Sequence, residues 1–303
     1  MKKARRTTLA GWLLLQLGFL ALTAAAQTRP PFIVTLEPER IVNGSPCLFR
    51  VTSSPGGQTG QATINSVRGR WMWRRLWFTF DAKARAWYAV AGVGPEAAQA
   101  SYPLVIEATL ASGEIVTSTY NVPVGQVRFP LSRLSVDPDF LDPNPQTRAR
   151  IARERALKNE LFNRVTAQPL WEGPFRVPLQ AVMTEAFGTR RTFNGQRRGS
   201  HHGVDYDANM STPIAAMNSG KVVLARNLFF EGNCVVLDHG HGLLTLYLHL
   251  SAFKVQEGAT VKRGQLIGLS GDTGRVTGPH LHAAVRWQGV YVDPVKLYAL
   301  TLP

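Results

Sequence analysis

Gly278-Pro279-His280-Leu281-His282 alternates imidazole, leucine and imidazole, and that alternation decides how the stretch is read. Successive side chains of a strand point to opposite faces, so His280 and His282 project together while Leu281 turns into a core. A sheet can thereby aim two imidazoles at one point. Far upstream, His201-His202-Gly203-Val204-Asp205 supplies a second histidine cluster with a carboxylate. Neutral imidazole and carboxylate suit zinc, and a catalytic zinc takes three protein ligands and keeps a fourth position for water. Two histidines and an aspartate from these segments would fill that set. A His-x-His pair alone more often packs or faces solvent than binds metal, so its surroundings decide.

Those surroundings form an ordered series. After His201-x-Gly203-Val204-Asp205 come Pro213-Ile214-x-Ala216, Gly220-Lys221-Val222-Val223, Asp238-His239-Gly240 and Tyr247-x-His249-Leu250-Ser251. Gly258-x4-Lys262-x-Gly264-Gln265-x2-Gly268 and Gly271-x-Thr273-Gly274 then lead to Gly278-Pro279-His280-Leu281-His282. From about Phe187 to Pro294 the chain resembles the M23 peptidase family, the LytM or lysostaphin-like zinc endopeptidases. The resemblance implies a small, mostly antiparallel β-sheet domain with zinc in a groove across it. It makes His201, Asp205 and His282 the metal ligands and His249 and His280 the catalytic histidines. All five positions are intact, whereas some relatives of this fold have lost ligands and serve as regulators of other wall hydrolases. The implied chemistry is hydrolysis of the peptide cross-links of bacterial peptidoglycan, with His280 as base and His249 orienting water or stabilising the oxyanion, or with these roles exchanged. A non-catalytic envelope scaffold or activator using the same groove is the competing class.

The other histidines carry weaker signals. His202 fills the variable position of His-x-Gly-x-Asp and reads as a bystander, while His239 and His241 flank Gly240 in a turn. Asp207, two residues along a strand from Asp205, is expected on the same face but farther from the metal. Phe187-Gly188-Thr189-Arg190-Arg191-x2-Asn194-Gly195 resembles the entrance segment of the exported, wall-degrading branch, where its Arg and Asn would meet stem-peptide carboxylates.

The chain opens with Lys2, Lys3, Arg5 and Arg6, an apolar run around Leu13 to Leu20, and Ala24-Ala25-Ala26. This is the pattern of a secretory signal peptide over residues 1–26, too short in its apolar part for a permanent membrane span. Its removal takes four basic residues and lowers the formal charge from +14 to +10. Such a basic surface attracts polyanions. Export to the periplasm or the extracellular space argues against nucleic acid and for peptidoglycan stems, with an envelope protein regulator a compatible partner and oligomeric state unspecified. Cys47 and Cys234 are the only cysteines, which excludes a disulfide-dense scaffold and leaves Cys234, in an apolar strand-like run, as a buried thiol, with an interdomain disulfide as the alternative if the two approach closely.

From Phe32 to Tyr120 short β-branched and aromatic runs alternate with Asn43-Gly44, Gly56-Gly57 and Ser112-Gly113, which reads as a sandwich of about seven strands. No histidine falls there. Asp137-Pro138, Asp142-Pro143 and Asn144-Pro145 break regular structure. Ile151, Leu157, Leu161, Phe162 and Val165 then share one side of a helical wheel, and Glu154 and Lys158 have the spacing of an ion pair. The expected molecule is mainly β. It has an N-terminal immunoglobulin-like β-sandwich (27–130), a Pro-rich helical linker (131–170) and a C-terminal antiparallel β-sheet domain of M23 type (171–303). The last is expected to fold alone from about Gly173.

Overall fold

The computed structural model of the protein describes residues 30–54, 63–195 and 197–303; the expected signal peptide lies outside them. Among the described residues nine strands come first: β1 (Phe32–Glu37), β2 (Ile41–Val42), β3 (Pro46–Ser53), β4 (Ile64–Trp71), β5 (Arg74–Leu76), β6 (Thr79–Asp81), β7 (Ala86–Gly92), β8 (Ala100–Leu110) and β9 (Ile115–Gly125). They form two sheets, ordered β1-β3-β7-β6 and β2-β9-β8-β4-β5. The period of two sets which side is core: along β8, Leu104, Ile106, Ala108 and Leu110 are buried while the residues between them are not. Trp71 and Phe49 meet edge to face at 5.1 Å between the sheets, a favoured aromatic geometry.

Next come β10 (Leu131–Leu134), α1 (Pro145–Asn163), β11 (Met183–Glu185), β12 (Arg190–Phe193), β13 (Arg197–Ser200) and β14 (Gly203–Asp207). The C-terminal strands are β15 (Pro213–Ala215), β16 (Gly220–Leu228), β17 (Gly232–Asp238), β18 (Leu243–Phe253), β19 (Thr260–Val261), β20 (Leu266–Ser270), β21 (His280–Trp287) and β22 (Val290–Val292), followed by α2 (Pro294–Tyr298). The large sheet runs β11-β14-β21-β18-β17-β16-β19, with β15, β20 and β22 paired at its margins. All its pairings are antiparallel.

The stretch read as linker is more structured than its prolines suggest. Its first residues form β10, which pairs in parallel with β12, Leu131 opposite Arg190. Pro145 sits in the first turn of α1, where a missing N–H costs nothing, and the Asn144 side chain caps the helix by accepting from Thr147 N. Phe162 docks the helix onto Leu224, Leu228, Val236 and Leu246 of the large sheet. The expected Glu154–Lys158 pair does not form. Glu154 instead accepts from Arg150 Nε at 2.6 Å and from Phe229 N at 2.9 Å, while Lys158 pairs with Glu231. Lys158 thus reaches the loop between β16 and β17, while Glu154 is shared between its own helix and that loop.

The sandwich and the large sheet share one continuous apolar core. Polar contacts tie the same junction. Asp293 N donates to Gly44 O at 2.8 Å, Arg74 Nε to Gln288 O at 2.8 Å, and Thr301 N to Glu37 Oε1 at 2.9 Å. Cys47 and Cys234 are both free and buried. Among the described residues no helix is long and apolar enough to cross a membrane.

Candidate metal centre

Strand register assembles the site. On the antiparallel pair β14–β21, Asp205 lies directly opposite His282 and Asp207 opposite His280. Directly opposed residues share a face, so two carboxylates and two imidazoles gather on one side while Leu281 is fully buried on the other. His201 enters from the segment before β14. Gly203 makes room for this approach: a Cβ there would stand 2.4 Å from Ala283 O and 2.7 Å from His282 Nε2.

His249 reaches the same face by a different device. Leu248 of β18 opposes His282, so simple alternation would send His249 to the far side. The register of β18 against β17 slips between Asn233 and Val235, and His249 takes φ +63°. A bulge that puts a non-glycine residue in the left-handed region re-aims its side chain, a cost characteristic of functional positions. His249 thereby stands 4.9 Å from His280, ring centre to ring centre.

His201 Nε2, Asp205 Oδ1 and His282 Nδ1 converge. The separations are 3.0 Å from His201 to Asp205, 2.9 Å from His201 to His282 and 2.8 Å from His282 to Asp205. Backbone carbonyls fix the tautomers, because a carbonyl can only accept. His201 Nδ1–H donates to Ala186 O at 2.9 Å, which leaves Nε2 with its lone pair toward Asp205. His280 Nδ1–H donates to Gly278 O and His249 Nδ1–H to Thr273 O, each at 2.8 Å, so both keep a lone pair on Nε2. A His201 lone pair and a carboxylate oxygen in close approach repel unless a cation lies between them. The donor set therefore fits a divalent zinc ion, with two imidazole nitrogens and one carboxylate oxygen as ligands.

The electrostatics agree. Burial alone would raise the Asp205 carboxyl, but the imidazoles of His201 and His282 outweigh it and hold the group well below the usual carboxylate range. Burial lowers His282 to about 4 against the opposing pull of Asp205. It also lowers His249 to about 3, helped by repulsion from His282 and His280. Both rings are thus neutral and able to give a lone pair.

Arg191 and Glu185 support the centre and were not legible as such in the sequence. Arg191 Nη2 donates to Asp205 Oδ2 at 2.7 Å, and its Nε donates to Glu185 Oε2 at 2.7 Å. This occupies the second oxygen of Asp205 and leaves Oδ1 to the imidazoles. Of the Arg190, Arg191 and Asn194 expected to meet substrate carboxylates, Arg190 is exposed, whereas Arg191 is committed to two internal carboxylates. Asn194 is bound on both sides to the backbone of Val136. Asp207 and His202 line the same cavity without joining the convergent group, and His202 stacks on Tyr291 at 4.5 Å. His239 and His241 are buried elsewhere, His239 bonded to Ser219 O and Thr245, His241 to Thr79.

The centre lies in a cavity of about 520 Å³ that opens onto the sheet face. Leu134 of β10, Phe162 of α1 and Arg275 of the loop before β21 line its walls. The Arg275 guanidinium lies over Phe193 at 4.5 Å and Phe230 at 4.9 Å.

An antiparallel sheet presenting a His-Asp-His metal set beside two further imidazoles defines the metallopeptidase class of site. Residues 199–294 match Peptidase family M23, and this part of the chain is an M23 peptidase domain. It is 46% identical over 101 residues to the peptidoglycan DD-endopeptidase ShyA of Vibrio cholerae, covering 33% of this chain and 24% of that protein. It is 45% identical over 103 residues to the DD-carboxypeptidase/endopeptidase Mpg of Neisseria meningitidis, covering 34% of this chain and 24% of that one. The matched stretch thus spans about a quarter of these relatives. A crystal structure of a Pseudomonas aeruginosa protein provisionally placed in peptidase M23 superposes with a TM-score of 0.62 at 25% identity, covering 86% of this chain and 95% of that one. That likeness extends beyond the M23 segment to the strands that precede it.

Proposed function

We propose that the protein is an exported zinc metalloendopeptidase that hydrolyses peptide cross-links of bacterial peptidoglycan. The observation that carries the reading is the convergence of His201 Nε2, Asp205 Oδ1 and His282 Nδ1 beside two imidazoles that each keep a free Nε2 lone pair. Bound there, zinc would acidify a water molecule and polarise the scissile carbonyl. His280, with Nε2 3.8 Å from Asp205 Oδ1, takes the proton of the attacking water and delivers it to the leaving amine. His249 orients that water through its own Nε2, and Thr273 O holds its ring. The two roles are interchangeable in this geometry, since both rings present the same nitrogen. Arg191 keeps the Asp205 carboxylate fixed through Oδ2 and leaves Oδ1 facing the two imidazoles.

The relatives' names supply the substrate class, peptidoglycan DD-cross-links, and with it an envelope location, either periplasmic or extracellular. The order β1-β3-β7-β6 against β2-β9-β8-β4-β5 supports reading residues 27–130 as an immunoglobulin-like accessory unit, 131–170 as a linker and 171–303 as the peptidase unit. Residues 1–26 are read as the cleaved export signal. The test is digestion of defined DD-cross-linked muropeptides by zinc-loaded protein, with the cut bond located by mass spectrometry. Cleavage that stops on chelation and resumes with zinc is expected. A zinc-loaded protein that binds these muropeptides and leaves them whole would instead establish the scaffold role.

A further inference from the structure

The hairpin of β4 and β5 breaks three local rules at once. Trp71 pairs with Arg74, so its loop is only Met72 and Trp73. Both take positive φ, 48° and 61°. Two-residue loops of this kind favour Asn and Gly, and a bulky side chain in that region is strained. The strain also exposes apolar surface: Trp73 is 88% exposed, with Tyr102 edge-on at 6.3 Å. Behind the tip Arg70 lies directly opposite Arg75, and like charges so placed repel. Among the described residues neither has a carboxylate partner, although Arg68 pairs with Glu107. Arg75 instead lies over the Trp77 ring at 4.0 Å, and Arg70 meets Val105 on its other side. Local conflicts that cluster on one element and do nothing for the fold point to a use outside it.

We infer that this hairpin docks the protein on an anionic phospholipid surface. Trp73 enters the headgroup boundary while Arg70 and Arg75 pair with lipid phosphates and Met72 stays packed on the core. Tryptophan favours that boundary because its ring is apolar and its N–H is polar. Arginine binds phosphate through its planar fork, and each basic residue near an anionic leaflet adds to the attraction. A saccharide platform would need carboxylate or amide side chains for the sugar hydroxyls, and residues 68–75 contain none. Gln288, just beyond the end of β21, bonds to Arg74 and Arg75. The hairpin base is therefore at the opposite end of β21 from His280 and His282, and docking leaves the groove open. The inference does not depend on peptidase activity.

Sedimentation of the mature chain with vesicles tests it. Binding is expected to phosphatidylglycerol-containing vesicles, weakened by salt, and absent with phosphatidylcholine alone. Changing Trp73→Gly relaxes the turn and leaves Met72 on the core, so the melting temperature should hold or rise while vesicle affinity falls about 10- to 100-fold. Arg70→Gln, on an exposed strand face, should weaken binding about 5-fold. Parent protein that ignores anionic vesicles, or binding unchanged in either variant, overturns the inference. So does a parent that binds lipid-free peptidoglycan through this hairpin and not vesicles, which would make the occupant a glycan.

Discussion

Arg191 shows what a single side chain does for the centre without touching the reaction. Its guanidinium spans Asp205 and Glu185, so Arg191→Ala frees the Asp205 carboxylate to rotate and leaves Glu185 without its charge partner. Loss of such a supporting contact typically costs about 10- to 100-fold in metal affinity. Arg191→Lys should recover part of this, since a point charge cannot bridge both carboxylates in the same geometry. Competition for zinc against a chromophoric chelator reads the effect directly, and equal affinities in all three proteins would remove Arg191 from the role. The proposed division between ligands and proton carriers makes a second prediction. Asp205→Ala should lose zinc and activity together, whereas His280→Ala should keep zinc and lose about 10²–10⁴ in turnover. A metal-free His280→Ala protein would reassign that histidine. Ligand candidates were legible in the sequence because zinc accepts few residue types and a strand repeats every two residues. Arg191, Glu185 and the Thr273 carbonyl were not, because their roles depend on which backbone passes beside the imidazoles. The reach of His249 was visible only as a motif; the left-handed residue that delivers it leaves no trace in residue type.

Among the elements, α1 departs most from its sequence reading. The periodic apolar residues predicted a helix, and Pro145–Asn163 forms one, but only Phe162 of that stripe is deeply buried. The helix is held as much by polar contacts as by packing, through the Lys158–Glu231 ion pair and the hydrogen bond that Arg150 donates to Asn227 Oδ1. The partners lie on the loop and strands of the large sheet, so no pattern within the helix could announce them. Phe162 fills the gap between the sheet and the Arg286 guanidinium, which lies over its ring at 4.5 Å. Phe162→Ala should cost roughly 3–5 kcal/mol at a fully packed site, or unlatch the helix if the site cannot collapse. Thermal melts together with amide exchange along α1 distinguish these outcomes. Unchanged melting and unchanged protection in the helix would show that the polar contacts alone hold it.

At the scale of the whole molecule, stability should fall in mild acid because of a histidine outside the metal centre. Burial holds His239 to about 4 against an ordinary 6.5, so the unfolded chain takes up a proton first as pH drops. The contribution is complete above pH 6.5 and is lost on descent toward pH 4, a change of about 3 kcal/mol. His239→Gln, which can still bond Ser219 O and Thr245, should flatten the decline measured by melts at the two ends of that window; an identical decline would clear His239. The larger question is whether the peptidase unit stands alone, as the sequence suggests from the self-contained spacing of its motifs. The structure gives reason to expect otherwise. A chain beginning at Gly173 loses β10 from its sheet with β12 and β13, removes α1 from the apolar face it covers, and uncovers Val292 and Trp287, which pack against Gly92. It also loses Trp171, which is buried against Tyr88 and His241. Such exposed apolar surface favours association over a cooperative fold. The expected result is a truncated protein that binds a hydrophobic dye, melts without a sharp transition and holds zinc more weakly than the mature chain. A monomer starting at Gly173 that melts cooperatively and binds zinc as tightly as the mature chain would show that the shared core is dispensable and that the preceding strands serve only to place the enzyme.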